Sequence, residues 1–142
     1  MRSFTGFYLP RGNHAFRNVL NEIPLQKILF KYFNIVPFPL ECFSLHSHRS
    51  ILCSADLLIH VSGSAGLAAI NCPVSTIVIE ISPQSVFLSD VERHDALTRR
   101  GRHIVYVCDR QSVEMAPIGD PLWIYIDPVR LCSAINRYIE EL

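Results

Sequence analysis

An excess of charge of either sign is missing from this sequence. Thirteen Lys and Arg stand against thirteen Asp and Glu, a formal net charge of zero. No broad footprint for nucleic acid is therefore expected, because phosphate binding draws on clustered cationic side chains. Paired cysteines are missing as well. The five cysteines, Cys42, Cys53, Cys72, Cys108 and Cys132, are odd in number and widely spaced, and no CxxC pair occurs. That pattern argues for reduced, buried cysteines packing as small hydrophobes, over a disulfide or redox role. No apolar run reaches the ~18 residues a membrane span needs. No signal peptide is expected, since Met1-Arg2 is not followed by a continuous apolar core. Internal repeats, low-complexity segments and linkers are also missing.

What the chain does have is apolar residues. Hydrophobic content is 49% and charged content 18% over 142 residues. This composition excludes disorder and predicts one domain, residues 1–142, around one core. Strand-like sequence begins close to Met1, as expected of a chain cut from something larger or of a domain whose partner lies elsewhere.

Residues 56–83 organise the rest. The apolar run Leu57-Leu58-Ile59-His60-Val61 has strand length. The small turn Ser62-Gly63-Ser64-Ala65-Gly66 follows, then helix formers over 67–70, then a β-branched run over 76–79 ending in Glu80-Ile81. Runs without clean alternation suit a parallel sheet covered on both faces. In such sheets ligands sit outside the carboxyl ends of the strands. Those ends are Ser62 to Gly66 and Glu80 to Pro83.

The flanking sequence continues the alternation. Residues 4–9 read as a strand ended by Pro10 and Gly12. Asn21 is the expected N-cap of a helix running to about Asn34, with Glu22 at the positive end of the helix dipole. Residues 35–38 read as a short strand and 44–55 as a helix with Leu45, Ile51, Leu52 and Ala55 inward. Residues 85–100 read as an exposed helix, 103–108 as a strand, 109–121 as a loop and 122–126 as a final strand. Asp127-Pro128 is a specific start signal for a last helix. The total is about five or six strands alternating with four or five helices, which predicts an α/β fold with an open, mostly parallel Rossmann-like sheet and helices on both faces.

Several of these pieces carry a family likeness in order. They are Tyr8-Leu9-Pro10-Arg11, then Arg17, then Asn21-Glu22; Ala55-Asp56-Leu57-Leu58-Ile59, then Ala65-Gly66-Leu67; Val78-Ile79-Glu80-Ile81-Ser82-Pro83; and Asp127 with the helix after it. The ordered set resembles the carboxyl-terminal half of the glycosyltransferase family 61 catalytic domain. The resemblance implies one half of a GT-B architecture. It implies transfer of a sugar from a nucleotide-sugar donor to a glycan or protein acceptor, as in polysaccharide biosynthesis, without a metal or other cofactor. It also implies an amino-terminal domain that holds the acceptor. The implied compartment is the Golgi or ER lumen in a eukaryote, and the cytoplasm or inner-membrane periphery in a bacterium.

The residues have chemistry suited to that donor. A turn of small residues lets backbone N–H groups approach a diphosphate, and a following helix adds its positive end. Ser62, Gly63, Ser64, Ala65 and Gly66 are the candidates, and a plain tight turn is the alternative. Glu80 can accept from ribose hydroxyls, or pair with an arginine such as Arg49 or Arg93. Arg11 and Arg17 can stabilise a departing diphosphate, or stand as solvated surface groups. His60 is either a satisfied structural histidine or a base, and Asn21-Glu22 is read as capping before catalysis. His46 and His48 have no carboxylate or cysteine at ligand spacing, so no metal site is expected. Gly63 or Ser64 stands where the family usually has a histidine. That departure supports an alternative reading, an inactive remnant or interaction module that keeps the fold. A heptosyltransferase-like GT-B enzyme is a further alternative.

Overall fold

The runs at 57–61 and 76–81 form adjacent strands at the middle of a parallel sheet. The computed structural model describes residues 4–10, 18–61, 64–81, 103–107, 113–115 and 123–140. In chain order the elements are β1 (Gly6–Leu9), β2 (Asn18–Val19), α1 (Glu22–Phe33), β3 (Val36–Pro37), a 3-10 turn (Leu40–Cys42) and α2 (Leu45–Leu52). They continue with β4 (Leu57–Val61), a 3-10 helix (Ser64–Asn71), β5 (Ile77–Ile81), β6 (His103–Val107), β7 (Val113–Met115), β8 (Trp123–Ile126) and α3 (Pro128–Ile139). Among the described residues the main sheet has five strands in the order β3-β1-β4-β5-β6, every pairing parallel. The fold is α/β, as expected.

Helices cover both faces because alternate residues of each strand feed separate clusters. Leu57, Ile59, Val61, Ile77, Ile79 and Ile81 pack with Leu25 and Leu29 of α1 and Leu131 and Ile135 of α3. Leu9, Leu58 and Val78 pack on the other side with Leu52 of α2 and with Ala68, Ala69 and Cys72. The small alanines let the 3-10 helix lie close on the sheet. Cys72 and then Pro73 follow it, and a proline disfavours helical backbone at the residue before it.

Polar side chains tie the amino ends of the strands. Asp56 Oδ2 accepts from the Thr5 N–H at 2.9 Å, and Thr76 Oγ1 donates to the Ala55 carbonyl at 2.7 Å. Both Asp56 and Thr76 are buried.

The structure corrects several expectations. Residues 122–126 do form a strand, β8, but it lies outside the main sheet. It pairs parallel with β2 and antiparallel with β7 in a second, three-stranded sheet. β7 lies inside the stretch expected to be a loop. β2 is two residues long, too short for a periodic pattern to register. Asn21 occupies the N-cap position of α1 as expected, but its side chain makes no capping bond to the helix. Its Nδ2 donates to the Ile126 carbonyl at 2.7 Å and its Oδ1 accepts from the Ile126 N–H at 3.1 Å, so it joins α1 to β8. Leu45, expected inward, is 83% exposed at the start of α2. Cys42 and Cys53 are free and exposed, Cys132 is half-buried, and Cys72 alone of these four matches the buried reading. Asn34 ends α1 in the left-handed conformation at φ 55°, a position asparagine tolerates. Asp127 caps α3 as the sequence predicts, its Oδ1 accepting from the Val129 N–H at 2.9 Å. The helix expected at 85–100 and Cys108 lie outside the described residues.

Candidate functional site

Strand order decides where a ligand crevice can open. From β1 the chain moves outward to β3, then returns to the other side of β1 for β4, β5 and β6. The direction reverses between β1 and β4. In open parallel sheets the connections after two such strands depart to opposite sides and leave a crevice at the carboxyl ends. Here those ends are Leu9-Pro10 and Val61, with Ile81 of β5 next in line.

The register aligns one row of residues across those ends: Leu9, His60, Glu80 and Tyr106. His60 and Glu80 share a face with Leu58 and Val78, on the side covered by the 3-10 helix. Each is 3% exposed, and His60 Nε2 lies 3.9 Å from Glu80 Oε1. His60 Nδ1 lies 3.0 Å from the Val61 carbonyl. A carbonyl only accepts, so Nδ1 carries a proton and donates it. Two ionisable groups this deep in an apolar sheet are costly unless they compensate each other. From the sequence His60 reads as a structural histidine or a base, with no sign of its neighbour Glu80. Residue spacing along one strand does not show which residue of the next strand lies opposite.

Among the candidate residues, Ser64, Ala65 and Gly66 open the 3-10 helix that follows β4, and Glu80 stands on the adjacent strand. The structure thus brings the turn and Glu80 to neighbouring strand ends. The first backbone N–H groups of a helix have no partner within it, and that holds for a 3-10 helix. Ser62, Gly63, Arg11 and Arg17 lie outside the described residues.

Other candidates have structural roles. The Tyr8 hydroxyl donates to Glu22 Oε1 at 3.0 Å, which links β1 to the start of α1. His48 Nε2–H donates to the Leu40 carbonyl at 2.7 Å, and its ring meets Phe38 edge-on. Among the described residues no cluster of three or more His, Cys, Asp or Glu is placed to hold a metal ion. No helix among them is long and apolar enough to cross a membrane. A groove of about 470 Å³ between α1 and α3, lined by Ile28, Tyr32, Val129 and Cys132 among others, shares no residue with the candidate set.

The sequence matches no protein-family model and no curated protein. Any functional reading therefore stands on the residues and their geometry.

Proposed function

We propose that this chain is the donor-binding half of a metal-independent glycosyltransferase that takes a nucleotide diphosphate sugar and passes the sugar to a glycan or protein acceptor. One observation carries the reading. The reversal of strand order between β1 and β4 sets the ends of β1, β4 and β5 side by side, and the turn and Glu80 stand at two of them. Ligands of open α/β sheets occupy that crevice.

In this reading the backbone N–H groups of Ser62, Gly63, Ser64, Ala65 and Gly66 hold the diphosphate. Glu80 accepts from the ribose hydroxyls. Arg11 and Arg17, between β1 and β2 in the sequence, offset the charge that grows on the leaving diphosphate. A partner domain of the larger GT-B enzyme presents the acceptor. Substitution of Arg11 or Arg17 by Ala removes a charge-assisted hydrogen bond, so each weakens diphosphate binding by about tenfold or more.

Calorimetric titration of the folded chain with ADP, GDP, UDP and CDP tests this. Heat with at least one of them, lowered in Arg11→Ala and Arg17→Ala, is the expected result. No heat with any of the four, in folded protein, sinks the reading. A second reading rests on Gly63-Ser64 standing where the family usually has a histidine: the chain keeps the fold and binds a partner without transferring sugar. Nucleotide binding without transfer by the full-length enzyme is the result that favours it.

A further inference from the structure

We propose that the outer surface of α1 and α3 docks on a membrane that carries anionic phospholipid, with acyl carbon entering the groove between the two helices. The proposal does not depend on the nucleotide reading, since the groove shares no residue with the candidate site.

The surface is built from what each helix leaves over after filling the core. Leu25 and Leu29 of α1 and Leu131 and Ile135 of α3 face the sheet. Ile23, Phe30 and Tyr32 of α1 and Val129 of α3 are large and apolar, yet each is more than half exposed. Tyr32 lines the groove of about 470 Å³ from α1 and Val129 lines it from α3, above Ile28, Phe33 and Cys132. Exposed apolar side chains gathered beside an open apolar groove, with polar residues around them, mark a protein or membrane contact. No helix among the described residues is long and apolar enough to cross a membrane, so the contact is with the membrane surface.

Charge chooses among the occupants. The chain as a whole is neutral, but this surface is not. Lys27, Lys31, Arg130 and Arg137 are exposed on the two helices. The acids on or next to them are Glu22, Asp127 and Glu140, and of these only Glu140 is exposed. Glu22 accepts from the Tyr8 hydroxyl at the start of α1, and Asp127 from the Val129 N–H at the start of α3. A second copy of this chain fits poorly, because an isologous contact sets a patch against itself and here opposes cation to cation. An acidic protein would match the charge, but protein interfaces gather apolar side chains at a centre and charge at a rim. On α1 the two kinds interleave, in the order Ile23, Lys27, Phe30, Lys31, Tyr32. A bilayer surface suits interleaving, since phosphate and acyl carbon lie within one side-chain length of each other. Lys31 Nζ stands 5.4 Å from the centroid of the Tyr32 ring. The pair thus sets an ammonium, on a long stem, beside an aromatic ring, as residues at the headgroup level do.

Two measurements on the full chain test this. In the first, the chain is sedimented with vesicles of phosphatidylcholine alone and of phosphatidylcholine mixed with phosphatidylserine. Binding to the mixed vesicles is expected, with little to phosphatidylcholine alone, and it weakens as salt is added. Lys27→Gln/Lys31→Gln and Tyr32→Ser/Val129→Ser are each expected to lower partitioning by about tenfold or more. All four positions are exposed, so both variants are expected to keep the wild-type circular dichroism. In the second, cysteine alkylation is followed with and without the mixed vesicles. Cys132 in the groove is expected to be shielded, while Cys42 and Cys53, in the 3-10 turn and α2 on the opposite face of the sheet, keep their rates.

No binding to the mixed vesicles, or equal binding to phosphatidylcholine alone, overturns the proposal. So does equal shielding of the three cysteines. Loss of binding in the lysine variant with none in the Tyr32→Ser/Val129→Ser variant marks adsorption by charge alone and overturns it too. Binding to soluble polyglutamate as tight as to the vesicles assigns the surface to an acidic protein instead. A dimer in sedimentation velocity that Tyr32→Ser/Val129→Ser dissociates assigns it to a second copy. Each of these results leaves the nucleotide reading standing.

Discussion

Asn21 shows how one side chain separates two accounts of the same residue. As an N-cap, asparagine and aspartate are close to interchangeable. As the bridge to β8 it needs both an amide donor and a carbonyl acceptor, since it serves both the carbonyl and the N–H of Ile126. Asn21→Asp loses the donor and sets a carboxylate against a carbonyl oxygen, so it is expected to cost about 1–3 kcal/mol in urea unfolding. A neutral result restores the capping account. Thr76→Val belongs to the same class. The change keeps the shape and removes the hydroxyl that donates to the buried Ala55 carbonyl, for an expected loss of about 1–2 kcal/mol. The cysteines differ in reactivity for a physical reason. Burial pushes the Cys132 thiol above its usual range, which lowers its thiolate fraction at any given pH. Cys42 and Cys53 are exposed. Peptide mass spectrometry after brief alkylation at neutral pH is expected to find Cys42 and Cys53 labelled well before Cys132, and Cys132 labelling to rise with pH.

Among the elements, α2 carries the sharpest contrast. Its N-cap is sound: Ser44 Oγ accepts from the Ser47 N–H at 3.2 Å. Leu45 begins the helix in solvent and Leu52 ends it in the core with no exposure. Leu52→Ala is therefore expected to cost about 2–5 kcal/mol, and Leu45→Ala to stay within about 0.5 kcal/mol, both read from urea midpoints. The sequence placed both inward because periodicity marks apolar residues without showing where the helix begins to touch the sheet. It located α1, β4, β5 and α3 closely, since each has a long apolar pattern or a specific terminator such as Asn34 or Asp127-Pro128. It missed β2 and β7, whose two and three residues exist as strands only through their pairing with β8. The candidate site was legible in the same uneven way. The turn after β4 and Glu80 at the end of β5 are visible as punctuation in apolar runs. His60 as the neighbour of Glu80 is not, because it depends on inter-strand register.

At the scale of the whole molecule, the sheet is a stack of apolar strands between two helical layers, with its polar groups collected at the strand ends. Asp56 and Thr76 serve the amino ends, and His60 and Glu80 the carboxyl ends. The centre is consequently the most protected part. Backbone amides of β4 and β5, each paired on both sides, are expected to exchange slowest in hydrogen-exchange measurements, and the single amide of the edge strand β3, that of Val36, much faster. Comparable rates for Val36 and for β4 run against this sheet order. Ligand binding at the strand ends is linked to the same stability. Under the function proposed above, a nucleoside diphosphate at a hundred times its dissociation constant is expected to stabilise the fold by about 2.7 kcal/mol, visible as a rise of several degrees in Tm.

By itself the sequence determined the class of the protein: apolar strands alternating with helices, with small residues and a carboxylate placed where strands end. These follow from local quantities, namely hydrophobic runs, turn residues and caps, each readable within a few neighbours. Only the tertiary structure decided the sheet order, the transfer of β8 to a second sheet, the bridging role of Asn21 and the meeting of His60 with Glu80. Each of these depends on which strand lies beside which and in what register, and that choice is made by packing between residues far apart in the chain.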